Sequence, residues 1–200
     1  MKEIIFDPET HTYTVDGVVL PSVTELVAPL GADFDDEDEL LGNAIDAAAE
    51  RGTVMPAYLA HRLSGGEPDD FELPEEYAEY QDGVELFLAQ HTIEPLAIET
   101  PIATDCFAGT PDLIANFDGE LAILDYKFVS AVAKSRVGAQ LNGYLMAANL
   151  NGIFPDNLYA VHFKRGDYSI YPVRKDLLGF NACQIVYAYK TRKHPRGAID

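Results

Sequence analysis

Apolar and polar positions alternate with a period of two near the start of the chain, in Ile4 to Phe6 and in Tyr13 to Leu20. That is the pattern of short strands with one buried face. Asp16-Gly17 interrupts the second run and suits a tight turn, so a small hairpin or meander is expected. Pro21-Ser22-Val23-Thr24-Glu25 follows. Ser22 can cap a helix with Glu25 three residues on, the capping-box arrangement, and the helix should end near Pro29 to Gly31. An acidic run, DFDDEDE at 33–39, precedes LLGNAIDAAAERG, where Leu40, Leu41, Ala44, Ile45, Ala48 and Ala49 recur at helical spacing. Carboxylates at the start of a helix complement the positive end of its dipole. The run lacks the ligand spacing and central glycine of an EF-hand calcium loop.

A second helical stretch is expected after Gly52, over Val54 to Leu63, and then a flexible loop, SGGEPDDFELP. Pro74 fits the first turn of a helix with Tyr77, Tyr80, Val84, Phe87, Leu88 and His91 on one face. That stripe reads as core, and His91 at its end reads as a surface or capping residue. From residue 95 the period changes. PLAIETPIA, CFAGTPDLIANF and ELAILDYKFV read as three successive strands, the last two joined by Asp118-Gly119. Helical spacing returns from Arg136 to Asn149, with Val137, Leu141, Leu145 and Ala148 on the buried side. A strand LYAVHFKR, a Gly166-Asp167 turn, a strand YSIYPV and a helix over 175–193 complete the chain.

Two hundred residues, 48% of them hydrophobic, make one domain with a substantial core. The expected division is an N-terminal hairpin and helix over 1–31, a helical region over 32–93, a core over 94–193 and a tail over 194–200. No apolar run approaches the roughly 18 residues needed to span a bilayer, and MKEIIFDPETHTY lacks the pattern of a signal peptide. Cys106 and Cys183 are too few for a four-thiolate cluster and read as reduced residues, so a cytoplasmic protein is expected. The formal net charge of −19 argues against a polyanion partner until its distribution is considered. Residues 1–126 hold 3 basic against 29 acidic residues, −26; residues 127–200 hold 11 against 4, +7. The basic segment includes Lys127, Lys134, Arg136, Lys164, Arg165 and the cluster from Lys190 to Arg196, and DNA remains an eligible partner.

In the strand LAILDYKF, alternation puts Leu121, Ile123, Asp125 and Lys127 on one face. A carboxylate and an ammonium then lie about 7 Å apart on an otherwise apolar face. Burying them costs several kcal/mol unless they find partners such as each other or a metal. Asp112 stands as far before the Asp118-Gly119 turn as Asp125 stands after it. A hairpin there makes the two plausible cross-strand neighbours, with Lys127 beside them. A hard divalent cation relieves the repulsion between paired carboxylates and prefers oxygen ligands, so magnesium or manganese fits better than zinc. With a lysine to orient water or stabilise charge, this is machinery for hydrolysing a phosphodiester.

GTPD at 109–112, DYK at 125–127 and QLNGY at 140–144 resemble the successive motifs of PD-(D/E)XK nucleases, in particular the RecB-like exonuclease branch found in phage and repair enzymes. HTYTVDGVVLPSVTEL at 11–26 is similar to the opening of phage-encoded members, so the resemblance spans most of the chain. It implies a restriction-endonuclease-like mixed α/β core, a central mixed sheet of about four strands flanked by helices, and Mg2+- or Mn2+-dependent exonucleolytic cleavage of DNA. It makes Asp112 and Asp125 metal ligands with the backbone carbonyl of Tyr126, Lys127 the catalytic lysine, and Glu99 an added acidic ligand. Gln140 and Tyr144 match the glutamine and tyrosine of the following helix. Arg136 lies one turn earlier on the same stripe, and with Lys134 these residues are the expected contacts to DNA. A strand-annealing recombinase and homo-oligomeric assembly are the further partners implied, in a phage or bacterial cytoplasm.

RGTVMPAYLAH at 51–61 departs from the family. Pro56 stands where relatives carry a histidine, His61 lies about 140° round the helix from it, and Glu50 is the neighbouring acidic candidate. Clustered cysteines for an iron–sulfur centre, a P-loop for ATP and a G-x-S-x-G nucleophile elbow are all missing. The acidic first 126 residues and Pro56 motivate the alternative expectation, a nuclease-like scaffold without catalysis or an acidic mimic of DNA.

Overall fold

The computed structural model describes residues 3–8, 10–30 and 42–192, with side chains described from residue 51 onward within the helix that begins at 42. The acidic run at 33–39, the Glu50 side chain and the tail from 193 lie outside the described residues. Strands β1 (Ile4–Asp7), β2 (Thr12–Val15) and β3 (Val18–Leu20) form an antiparallel meander. Its second turn places Asp16 and Gly17 at positive φ, as the Asp-Gly signature requires. Helix α1 (Val23–Leu26) begins on the expected capping box: Ser22 Oγ accepts from Glu25 N at 2.9 Å, and Ser22 N donates back to the Glu25 carboxylate.

Helix α2 (Gly42–Leu63) runs unbroken through both Gly52 and Pro56, where two separate stretches were expected. A proline ring inside a helix crowds the carbonyl four residues before it. That residue is Gly52, whose backbone has the freedom to yield. Helix α3 (Ala78–Gln90) follows a single tight turn that starts after Pro74. Strand β4 (Ile93–Ile98) is separated from β5 (Ile102–Ala103) by Glu99 at φ 41 and by Pro101. Likewise β6 (Ala108–Gly109) is separated from β7 (Leu113–Phe117) by Thr110-Pro111-Asp112. Each expected strand is therefore two strands, because proline cannot donate to a ladder and breaks the pairing. Strand β8 (Glu120–Lys127), helix α4 (Lys134–Leu150), strands β9 (Asn157–Lys164) and β10 (Asp167–Pro172) and helix α5 (Leu178–Thr191) complete the chain.

The architecture is mixed α/β, with a central sheet of five strands rather than about four, ordered β10-β9-β8-β7-β4. Only β8 and β9 run parallel, linked through α4. The alternation of β8 divides the core in two. Ile123 faces Val23, Leu26, Val137, Leu141, Tyr144 and Phe180 from α1, α4 and α5. Leu124 and Tyr126 face Met55, Tyr58, Leu59, Val84 and Phe87 from α2 and α3. The stripe expected on α3 is indeed core, with Val84 and Phe87 fully buried. His91 caps that end of the molecule, its Nδ1 2.6 Å from Asp118 Oδ2 and its Nε2 3.0 Å from the Tyr168 hydroxyl. No described helix is long and apolar enough to cross a membrane.

Candidate active site

Strands β7 and β8 pair with Leu113 opposite Leu124, and β4 pairs with β7 with Ile98 opposite Leu113. The next row of the same register is Glu99, Asp112 and Asp125. The backbone continues that row, since Glu99 N donates to the Asp112 carbonyl at 3.0 Å. The symmetry about the Asp118-Gly119 turn thus brings the two aspartates side by side. Asp112 Oδ2 accepts from Tyr126 N at 2.6 Å, which ties its carboxylate across to β8.

Asp125 is 1% exposed. Its Oδ2 lies 2.6 Å from Lys127 Nζ, on the same face two residues on, yet it has no aligned hydrogen-bond donor. Lys127 Nζ also donates to Gln140 Oε1 at 3.5 Å, and Gln140 Nε2 donates to the Tyr144 hydroxyl at 3.1 Å. Tyr144, 4% exposed, bonds in addition to Thr24 of α1. The QLNGY tyrosine is therefore buried behind the site, where it holds Gln140, and is not presented to solvent as a direct DNA contact. Burial pushes the Asp112 carboxyl up to about 7, and the neighbouring Asp125 pushes the same way, against smaller opposing effects of Lys127 and the Tyr126 N–H. Burial alone would lower Lys127, but Asp125 and Asp112 together more than offset it and hold the ammonium above its ordinary value.

Two carboxylates in one row, one of them buried with its oxygen held only by the single ammonium, form a hard, anionic donor set. That set fits a divalent cation taken by oxygen ligands. Asp112 and Asp125 are its carboxylates. Glu99 stands next in the row but is exposed. Among the described residues no three His, Cys, Asp or Glu side chains cluster as a metal site. The Tyr126 ring points to the opposite core and contributes nothing from its side chain. Pro56 and His61 both lie on α2, and His61 Nε2 bonds the Glu67 carbonyl.

The N-terminal meander acts on the site from behind. The Tyr13 hydroxyl lies 2.8 Å from Thr110 Oγ1, two residues before Asp112, and Ala108 N donates to the Pro21 carbonyl at 3.1 Å. Between them Gly109 is pressed against Tyr144. A Cβ there would fall 2.8 Å from Tyr144 Cε1 and 3.0 Å from Val23 Cγ2, and neither buried side chain can swing clear. Gly109→Ala is expected to cost about 1–3 kcal/mol in urea unfolding. It should also slow any reaction at Asp112, because the ring that anchors Gln140 is displaced.

The crossover from β8 to α4 is fastened at consecutive carbonyls from two sides. Arg51 Nε donates to the Phe128 carbonyl at 2.7 Å, and His162 Nε2 donates to the Val129 carbonyl at 2.6 Å. His162 is 5% exposed and pairs across β9 with Lys127. Sequence reasoning did not single it out. Its only local signal is a polar residue on the apolar-facing positions of LYAVHFKR, and its nearness to Lys127 depends on the parallel pairing. At the end of the crossover, α4 starts on Ala133, which offers no capping side chain, and its first turn holds no acidic residue. Lys134 and Arg136 stand there instead, an arrangement unfavourable to the helix dipole unless an anion joins it. Arg136 lies on the Lys127 side, close enough to oppose its charge. Lys134 turns the other way, with Nζ 5.7 Å above the Tyr171 ring.

No family model matches the sequence, and no curated protein matches it. Among solved structures, SSO0001 is similar at 12% identity with a TM-score of 0.36, over 70% of this chain and 73% of that one. A likeness that weak carries no argument about either fold or function.

Proposed function

We propose that the chain is a magnesium- or manganese-dependent deoxyribonuclease, acting as an exonuclease, that hydrolyses phosphodiester bonds by attack of water. The observation that carries this reading is the pair Asp112 and Asp125 with Lys127 at 2.6 Å from the buried, otherwise unbonded Asp125 oxygen. Asp112, Asp125 and the Tyr126 carbonyl would hold the cation, with Glu99 beside them. A hard divalent cation, when bound, supplies Lewis-acid stabilisation of charge building on the phosphate and makes water a competent nucleophile at neutral pH. Lys127 stays protonated between its carboxylate neighbours, so it acts by donating and by stabilising charge rather than by removing a proton. Gln140 aims the ammonium, and Tyr144 holds Gln140. Arg136 and the open N–H groups at the start of α4 suit a phosphate of the DNA strand. The unbonded thiols of Cys106 and Cys183 fit a reducing cytoplasm. A strand-annealing recombinase is the partner that the sequence resemblance adds.

End-labelled linear DNA incubated with the purified chain should be digested in manganese or magnesium, be protected by a chelator, and be spared when covalently closed. Intact linear DNA under all these conditions would sink the proposal. A second reading, a nuclease-derived scaffold without catalysis, draws on one observation: no third acidic or histidine side chain joins the two aspartates among the described residues. Calorimetry separates the two readings. Manganese binding that is lost in Asp125→Ala belongs to the enzyme, and no binding at all belongs to the scaffold.

A further inference from the structure

A trough of about 600 Å3 lies between α4, β10 and α5, lined by Val137, Gly138, Ala160, Tyr171, Val173 and Ala182. It has the size and the apolar character of a ligand site. Asn142, 2% exposed, donates from Nδ2 to the Gly138 carbonyl at 2.8 Å and to the Arg174 carbonyl at 3.0 Å, and its Oδ1 accepts from Asp176 N at 2.8 Å. One buried amide thus pins α4 to the segment that leads from β10 into α5, and the shape of the trough is set without a ligand. Gly138 sits inside α4, where glycine weakens a helix relative to alanine. No packing requires it, because a Cβ there would come no closer than 4.0 Å to Val173 Cγ1. At Gly143, farther along the same helix, a Cβ would fall 2.6 Å from Phe180 Cε2. The space over Gly138 is open to a group from outside the chain.

The trough adjoins the aspartate row. Asp125 pairs with Ala160, and Ala160 with Tyr171, so the row of Glu99, Asp112 and Asp125 runs on to the far edge of the sheet. Ala160 and Tyr171 therefore lie about 5 Å and about 10 Å along the row from Asp125. The start of α4 separates the two places: Arg136 is on the Lys127 side, and Lys134 is on the trough with Nζ 5.7 Å from the Tyr171 ring centroid. Among the described residues neither of these two cations pairs with a carboxylate. The opposite face of the sheet repels a polyanion. The loop between α2 and α3 packs there through Phe71 and Leu73 and exposes Glu67, Asp70, Glu72, Glu75 and Glu76, and no lysine or arginine occurs from residue 63 to residue 126. The apolar surface continues past the trough along α5, where Leu178, Ile185 and Tyr189 are exposed.

We infer that the trough receives one unpaired base of the DNA strand, turned out over the start of α4 while a neighbouring phosphodiester lies at Asp112 and Asp125. The inference rests on the nuclease reading for the identity of the polymer. The trough begins one strand away from Asp125 along the row, within one nucleotide's reach of it. Lys134 meets the phosphate beside the base, and the apolar walls with the Tyr171 ring give a base of any sequence a surface to lie against. A base held in a duplex does not enter, because pairing keeps it in the stack and the start of α4 stands between the stack and the trough. The substrate class that follows is a single strand or a frayed end rather than an intact duplex.

Fluorescence anisotropy of the full chain with a short fluorescein-labelled DNA strand, alone and annealed to its complement, tests this in chelator, where no cleavage intervenes. Two variants probe the trough. Gly138→Leu fills the open space and replaces a helix glycine by a strong helix former, so urea unfolding should show a fold at least as stable as the wild type. Tyr171→Leu removes the ring but keeps apolar bulk. The wild type should bind the single strand at least about tenfold more tightly than the duplex, and each variant should lose about tenfold or more of the single-strand affinity. Single-strand affinity that is unchanged in a folded Gly138→Leu, a duplex bound as tightly as the single strand, or a wild type that binds no single strand would each overturn the inference. Cleavage of the single strand in manganese separates it from the nuclease reading. A wild type that cuts the strand, with KM unchanged in Gly138→Leu, refutes the trough alone. A wild type that binds the strand through the trough and cuts nothing refutes the nuclease reading alone.

Discussion

Asp112→Asn should abolish cleavage and, in the absence of metal, make the protein more stable at pH 8 than the wild type. Both effects come from one environment. Asparagine keeps an oxygen to accept from Tyr126 N, so the tie across the strands survives, but the donor set loses a charge and cation affinity collapses. Cleavage is expected to fall by about a thousandfold or more. For stability, the unfolded Asp112 ionises near its ordinary 3.8, whereas the folded one keeps its proton up to about 7. Between those values the folded state holds a proton that the unfolded state lacks, so stability declines as pH rises through the window, and above about 7 the contribution is lost.

That interval corresponds to at most about 4 kcal/mol for a fully desolvated group. Asp112 is only partly buried, so a gain of about 1–3 kcal/mol at pH 8 is expected for Asp112→Asn in chelator. At pH 4, near the unfolded value, the two proteins should differ little. Urea unfolding at the two pH values measures this, and equal stability differences at both would refute the account of Asp112. Cation binding should also release a proton below about pH 7, visible in calorimetry as a dependence on the buffer's ionisation enthalpy.

Lys127→Met should separate catalysis from metal binding. The methionine matches the length and apolar packing of the lysine stem but removes the ammonium from Asp125 Oδ2 and Gln140 Oε1. A cation then meets the two aspartates without the competing ammonium, so manganese should bind at least as tightly as to the wild type. Turnover, deprived of charge stabilisation at the phosphate, should fall by about 10²–10³-fold with little change in KM. Calorimetry together with single-turnover cleavage reads both quantities. If metal affinity fell in step with turnover, Lys127 would be supporting the ligands rather than the reaction. Asp125→Ala is the contrasting variant, expected to lose metal and turnover together.

Much of the site was legible because its geometry is local. The Asp118-Gly119 turn sets a hairpin, and counting outward from it puts Asp112 beside Asp125. Period two then puts Lys127 on the face of Asp125. The capping box at Ser22 and Glu25 formed as written, since both partners lie within one helical turn. Proline misled in two directions. Pro101 and Pro111 broke strands that apolar content alone made continuous, and Pro56 failed to break a helix because Gly52 accommodated it. Tyr144 was placed on the correct stripe of α4, but its burial depends on Gly109 and on Val23 and Thr24 of α1, which approach from far along the chain.

What the sequence by itself determined is the set of groups tied by turns and periodicity: the mixed α/β order of elements, the aspartate pair, the lysine beside it and the Gln140–Tyr144 stripe. Short-range sterics and side-chain alternation suffice for those. Only the tertiary structure decided which surfaces meet. The parallel β8–β9 pairing sets His162 beside Lys127, and the return of α2 brings Arg51 to Phe128. The meander braces Thr110 from Tyr13, and the packing of α5 leaves its apolar stripe open. Each of these contacts joins residues far apart in the chain, through the burial of apolar area summed over the whole core, and no local window of sequence encodes that sum.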